Sequence, residues 1–414
     1  MVMVMIPTQV VDDDLIREVS QAVEERRGEL LDLCRALVET PSANPPGDTT
    51  GVAAILGAYL AGQGIASRTA GRSAIKPNLV AEIAGRGPGR HLIFNVHLDT
   101  LQPGNESDWT VPIHRMTRRD GRLHGLGIGN MKGAVAAQAL ATALLARRFG
   151  DWSGRISFTA VADETVFGPD GAAFLLEDDR GLIGDAVICG EGPGRLGLAL
   201  AEKGVCWLEI EARAPSRQGM LARRGESAIV RLAAVIGELD ALNELRVDPP
   251  AEIASVARDG DDGLRLSVNP GTIAGGYFVS QMAPKASVAV DFRIPPGLTV
   301  EAVEARVAAI VARYPDMSFS RIKAWDPNWT GMATPVAQAL AQAHGRIRGE
   351  TARTVVRLPA SDASRWRALG VPAICYGPQA DTVSGVDDHV LEQDLLDCAK
   401  IYTLAALSFL RRSS

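Results

Sequence analysis

The sequence predicts an α/β protein: a large domain on a mostly parallel sheet, with a smaller α+β sandwich inserted into it as a lid. Three observations predict it. Short apolar runs of buried type alternate with helical segments along most of the chain, the pattern of a parallel sheet with crossover helices. Between residues 200 and 318 the runs change character and alternate apolar with polar residues, as half-exposed strands do. Outside that stretch, the apolar runs end in histidine and carboxylates, at the strand ends where open α/β sheets bind ligands.

The elements follow in chain order. Residues 12–38 open with three aspartates and run on as "LIREVSQAVEERRGELLDLCRALVE", which predicts one acid-capped amphipathic helix. "SANPPGDTTGVAAILGAYLAGQG" reads as a Pro/Gly turn and a second helix. Strands are predicted at 91–99 ("HLIFNVHLD"), 155–164 ("RISFTAVADE"), 185–191 ("DAVICGE") and 372–377 ("PAICYG"). Between the first two, "GLGIGNMKG" is a glycine-rich loop that runs into an Ala/Leu helix. The insertion combines the strands "KGVCWLEIEAR" and "KASVAVDFRI" with the helices "GESAIVRLAAVIGELDAL" and "TVEAVEARVAAIVARY". The expected division is 1–199 and 319–414 for the large domain and 200–318 for the lid.

Composition narrows the class of partner. With 414 residues, 46% hydrophobic and 22% charged, the chain is long enough for two or three domains. A net charge of -6 with scattered basic residues argues against nucleic acid or an anionic membrane as the main partner. The N-terminal stretch lacks the charged start of a signal peptide, and no apolar run reaches the eighteen or so residues of a membrane span. Five cysteines, far apart and odd in number, read as core thiols in a reducing cytoplasm.

One histidine and several carboxylates converge at the strand ends: His97 and Asp99, Asp163 and Glu164, and Glu191. Such a set makes a metal-and-water site the leading chemistry. His-x-Asp on a strand puts both side chains on one face, so Asp99 is expected to hold the imidazole in its ligating tautomer. Asn130 ends the glycine-rich loop where a carboxylate would be the obvious choice, either as a helix cap before Met131 or as part of an altered site. The loop's glycine spacing does not fit a dinucleotide fingerprint, and no serine-hydrolase elbow occurs.

The motifs "HLDTLQPGNESDW", "DGRLHGLGIGNMKGAVAA", "ADETVFGPDGAAFLL" and "ICGEGPG" occur in the order seen in a metallohydrolase family. By these the chain resembles acetylornithine deacetylase, succinyl-diaminopimelate desuccinylase, carboxypeptidase G and the aminoacylases. The resemblance covers nearly the whole chain and implies homodimers, or assemblies of them, through the lid. It also implies a carboxylate-bearing substrate and two metal ions bridged by an aspartate. At the bridging position this chain has Asn130; His97 and Glu191 match the private ligands of one metal. The other metal's ligands fall at Thr165 and Ser384, neither of them a metal-binding type here. His389, five residues on, is a candidate replacement.

The resemblance makes Glu164 the general base, and the departures from it at Asn130, Thr165 and Ser384 leave a single divalent ion, with manganese first and zinc or cobalt as alternatives. Arg293 matches a lid arginine that binds substrate carboxylate, Arg217 lies near the family's oxyanion histidine, and Gln281 stands for a lid asparagine. The family extends to hydrolysis of an aryl amine, 5-nitroanthranilate, in which the nitro group absorbs charge without a second metal. Deamination of that substrate to 5-nitrosalicylate and ammonia is the specific expectation. A mononuclear amidase for an N-acyl amino acid is the alternative, and a non-catalytic binding member the third.

Overall fold

The computed structural model describes residues 12–193, 197–256, 262–378 and 385–411. The chain begins with α1 (Asp13–Glu25), α2 (Arg27–Val38) and α3 (Thr50–Gly62), then β1 (Ser67–Ala70), β2 (Asn78–Ala84) and β3 (His91–His97). A hairpin of β4 (Thr117–Arg119) and β5 (Arg122–His124) precedes α4 (Gly133–Arg147), β6 (Arg155–Val161), α5 (Ala172–Asp178), β7 (Ala186–Cys189) and β8 (Leu198–Glu202). Next come β9 (Gly204–Arg213), α6 (Ala228–Asp240), β10 (Ser267–Gly275), β11 (Lys285–Ile294), α7 (Val300–Val311) and β12 (Met317–Trp325). The last stretch holds β13 (Asn328–Trp329), α8 (Pro335–Arg348), β14 (Thr354–Arg357), α9 (Ala363–Ala368), β15 (Ala373–Cys375), β16 (His389–Leu391) and α10 (Glu392–Phe409).

Nine strands form the large sheet, in the order β1-β2-β6-β3-β7-β15-β8-β13, with β14 beside β8. The four strands expected from the apolar runs are β3, β6, β7 and β15, and they form its parallel centre. Antiparallel strands flank them on both sides, so the whole sheet is mixed. The central strands are buried almost throughout, which is why they read as unbroken apolar runs and not as alternation.

Helix α4 lies on β2, β3 and β6 and packs against α2 and α10. It is buried from Gly133 through Leu145, and its alanines let the surrounding backbones approach closely. Overpacking such an interior with a larger side chain costs roughly 1–3 kcal/mol. The single helix expected over 12–38 is instead two. Arg26 leaves helical geometry and turns its guanidinium to Glu29 at 2.8 Å, while Arg27 reaches Glu392 in the first turn of α10 at 3.0 Å.

The chain divides into two compact units. The first takes residues up to Leu200, then Thr330–Val355 and everything from Ser361; the second takes Ala201–Trp329 and Val356–Ala360. In the second unit an antiparallel sheet of order β10-β11-β9-β12 buries one face against α6 and α7, around Leu208, Ile210, Val288, Val290, Leu232 and Val303. Strand β12 carries this unit past residue 318. No helix among the described residues is long and apolar enough to cross a membrane. All five cysteines are buried thiols.

Candidate active site

The glycine-rich loop explains its own sequence. Gly127 adopts φ +78, and a Cβ there would sit 2.2 Å from Thr100. Its N–H donates to Asp388 Oδ2 at 2.9 Å, and the N–H of Gly125 donates to the Asp388 carbonyl at 2.9 Å. Gly129 must lack a side chain because a Cβ would lie 2.6 Å from Asp388 Oδ1. At the far end, Lys132 is buried and donates from Nζ to the Thr40 carbonyl at 2.7 Å. Burial pulls this ammonium's pKa down to about 7. These anchors deliver Asn130 to the end of β3. The helix-cap reading of Asn130 fails, because α4 starts at Gly133 and its cap position is Lys132.

His97 ends β3 and is 1% exposed. Its Nδ1 lies 2.8 Å from the Asp99 carbonyl oxygen, which only accepts, so Nδ1 carries the hydrogen and donates. Nε2 then faces Asn130 Oδ1 at 2.8 Å, Glu191 Oε1 at 3.4 Å and Glu164 Oε2 at 3.6 Å. One ligand atom each from His97, Glu164 and Glu191 lies within 4.8 Å of the others. The Asn130 oxygen only accepts and two carboxyl groups face the same nitrogen, so the cluster favours positive charge at its centre. Histidine nitrogen and hard oxygens suit a divalent ion, and the residues fit one.

The electrostatics agree. Burial alone would lower the pKa of His97, but Glu164, Glu191 and Asp99 outweigh it and hold the imidazole well above its ordinary value. Burial pushes the Glu164 carboxyl well up, with His97 opposing and Glu191, Asp362 and Asp99 adding to the rise. A cation binding here takes the place of the His97 proton.

The carboxylate of Asp99 does not hold the imidazole as expected; its Oδ1 is 3.6 Å from Nδ1, and the main chain does that work. Instead the carboxylate is saturated by donors. Glu164 N–H reaches Oδ1 at 3.2 Å, while Oδ2 accepts Thr165 N–H at 3.1 Å, Thr165 Oγ1 at 2.7 Å and Asn44 Nδ2 at 3.0 Å. Thr165 therefore braces the turn that presents Glu164.

Other expected residues fall elsewhere. His389 lies on β16, its ring 5.1 Å from that of His124 and its Nδ1 3.0 Å from the Asp387 carbonyl, and it is not among the clustered ligand atoms. Ser384 lies outside the described residues. Arg217, Gln281 and Arg293 all belong to the second unit. There Arg293 Nε donates to Asp291 at 2.9 Å, Arg217 lies 3.6 Å from Glu226, and Gln281 is exposed beside Gln218. Sequence reasoning missed Asp362, Asp388 and Lys132. Burial raises Asp362 to about 7, with Arg365 and His97 opposing and Asp99 and Glu191 reinforcing.

A cation-seeking cluster at the carboxyl ends of parallel strands, with carboxylates able to move protons beside it, defines a metal-dependent hydrolase. A model of peptidase family M20/M25/M40 matches residues 93–408, and the chain belongs to that family of C–N bond hydrolases. It is 27% identical over 343 residues to a succinyl-diaminopimelate desuccinylase of Nitrobacter hamburgensis, covering 78% of this chain and 84% of the relative. Human carnosine dipeptidase 1 shares the fold with a TM-score of 0.74 at 16% identity, over 96% of this chain and 99% of that one. A dinuclear metal-binding M20 peptidase of Bacillus subtilis gives a TM-score of 0.64 at 16% identity, over 94% of this chain and 99% of its own.

Proposed function

We propose that the protein hydrolyses a C–N bond in a small carboxylate-bearing substrate with one divalent cation, and that its substrate is an activated aryl amine. The observation that carries this reading is the acceptor set around His97 Nε2, combined with Thr165 being turned to Asp99 and away from ligation. His97, Glu191 and the Asn130 side-chain oxygen would hold the ion, manganese first and zinc or cobalt next. When bound, the ion acidifies a water and stabilises developing negative charge. Glu164, buried and with its pKa raised, takes the water's proton and delivers it to the departing nitrogen. The Asp99 carbonyl keeps Nε2 of His97 free for ligation.

With 5-nitroanthranilate, water adds at the ring carbon bearing nitrogen, the nitro group takes up the charge, and ammonia leaves to give 5-nitrosalicylate. Ring attack asks for no second cation, which suits a neutral Asn130 in the bridging place. Arg293, with Arg217 and Gln281, is assigned to the substrate carboxylate. The likeness to a desuccinylase supports a second reading, in which the same site cleaves an N-acyl amino acid. A homodimer through the second unit accounts for edge strand β10 and the turn after it, where Ile273, Tyr277, Phe278 and Val279 are exposed, as are Ile229 and Val230 of α6. The buried thiols support a cytoplasmic setting.

Ammonia release tests the choice. The aryl-amine reading expects turnover of 5-nitroanthranilate and none of anthranilate, which lacks the electron sink. Ready hydrolysis of N-succinyl or N-acetyl amino acids, with the nitroarene untouched, replaces it by the amidase; no turnover of either class leaves a binding member.

A further inference from the structure

We propose that Asp362 accepts a hydrogen bond from the scissile nitrogen of the substrate, holding the leaving amine beside the cation cluster. This rests on C–N hydrolysis at the His97 site, whichever of the two substrate classes is correct, since an aryl amine and a secondary amide both carry an N–H on that nitrogen.

Asp362 precedes α9 and is 5% exposed. Its Oδ2 is buried with no hydrogen-bond partner among the described residues. The cation beside it, Arg365, has its Nε 3.8 Å from Oδ1, beyond hydrogen-bonding reach. The carboxylate interacts electrostatically with His97, Asp99 and Glu191, and Glu164 interacts with it, so it belongs to the same enclosed group. A buried carboxylate oxygen left without a donor is costly, and an N–H brought in by the substrate would remove that cost.

That donor is not the resident cation. The ligand atoms close enough together to share an ion come from His97, Glu164 and Glu191, and Asp362 is not among them. No bond is made or broken at Asp362. The proton lost by water passes through Glu164 to the nitrogen, while Asp362 orients that nitrogen through an N–H it already carries.

The test uses the Glu164→Gln protein, in which substrate binds with turnover suppressed. Binding constants are measured for the substrate that the wild type turns over and for its analogue with the scissile nitrogen replaced by carbon, which for 5-nitroanthranilate is 3-nitrobenzoate bearing a methyl in place of the amine. The Asp362-containing protein is expected to prefer the N–H compound at least about tenfold. Adding Asp362→Ala should shrink that preference to about twofold or less, with metal content unchanged. Asp362→Val, which offers no acceptor, serves if the alanine variant does not fold. An undiminished preference, or loss of metal with Asp362, overturns the proposal while leaving the C–N reading intact. If the wild type turns over neither substrate class, both fall together.

Discussion

One strand carries two buried histidines with opposite fates. His91 begins β3 and His97 ends it, 7% and 1% exposed. At the first end donors and acceptors match. Ser157 gives its hydroxyl proton to Glu82 at 2.8 Å and receives His91 Nε2–H at 2.8 Å, while Asp185 accepts the His91 main-chain N–H at 2.7 Å. Burial, aided by Arg155, there pulls the imidazole pKa down to about 4. At the other end three acceptors face one ring nitrogen, and the charges of Glu164, Glu191 and Asp99 overcome a more complete burial. The lesson is that burial does not distinguish a structural histidine from a functional one. A surplus of acceptors does, because only something brought in from outside can satisfy it.

Exchanging the roles of the two ends should be impossible, and the sharpest break is at the ligand. His97→Ala is expected to weaken metal binding by more than about a hundredfold, beyond the usual worth of an outer partner, while His91→Gln leaves metal content at the wild-type value. Elemental analysis after dialysis reads both. Equal metal loss in the two variants would erase the distinction.

Glu164→Gln is the next largest effect. Metal should remain while kcat falls at least about a hundredfold, the usual contribution of a positioned acid–base group. If the variant instead loses metal and keeps its activity per bound ion, Glu164 is a ligand and the base lies elsewhere.

The smallest effect concerns stability at the His91 end. Its folded pKa is below the unfolded value of 6.5, so the unfolded chain binds the extra proton. The stabilisation from a neutral His91 is full above pH 6.5 and drains away as pH falls towards about 4. The shift corresponds to at most about 3 kcal/mol. Denaturant unfolding between pH 7.5 and 4.5 should therefore show a steeper acid loss for the wild type than for His91→Gln. Parallel curves would mean that His91 titrates normally in the folded protein.

Much of this was legible in the sequence, for identifiable reasons. The runs around Phe94, Phe158, Val187 and Ile374 stand in the sheet centre, where burial on both faces leaves an uninterrupted apolar signal. The flanking β1 and β13 are short and carry none. Strand β10 was hidden because Pro270 and Gly271 interrupt it at a bulge, which an edge strand tolerates. His97, Glu164, Glu191 and Asn130 stood out as candidates because each closes an apolar run or loop with its own signal, and the fold brings them together. Asp362 and Asp388 carried no such signal: Asp362 meets His97, and Asp388 meets Gly127, from more than a hundred residues away, through folding alone. Even the tautomer of His97 was assigned to the wrong part of Asp99, since a side-chain pattern says nothing about where a carbonyl points.

With Asn130 and Thr165 in these places, room for one ion is expected where a bridged pair would otherwise sit. The direct measurement is the metal content of the full chain after saturation with manganese and removal of excess, read by elemental analysis against protein concentration. One ion per chain is predicted. Two tightly held ions per chain would mean that Asn130 bridges a pair after all.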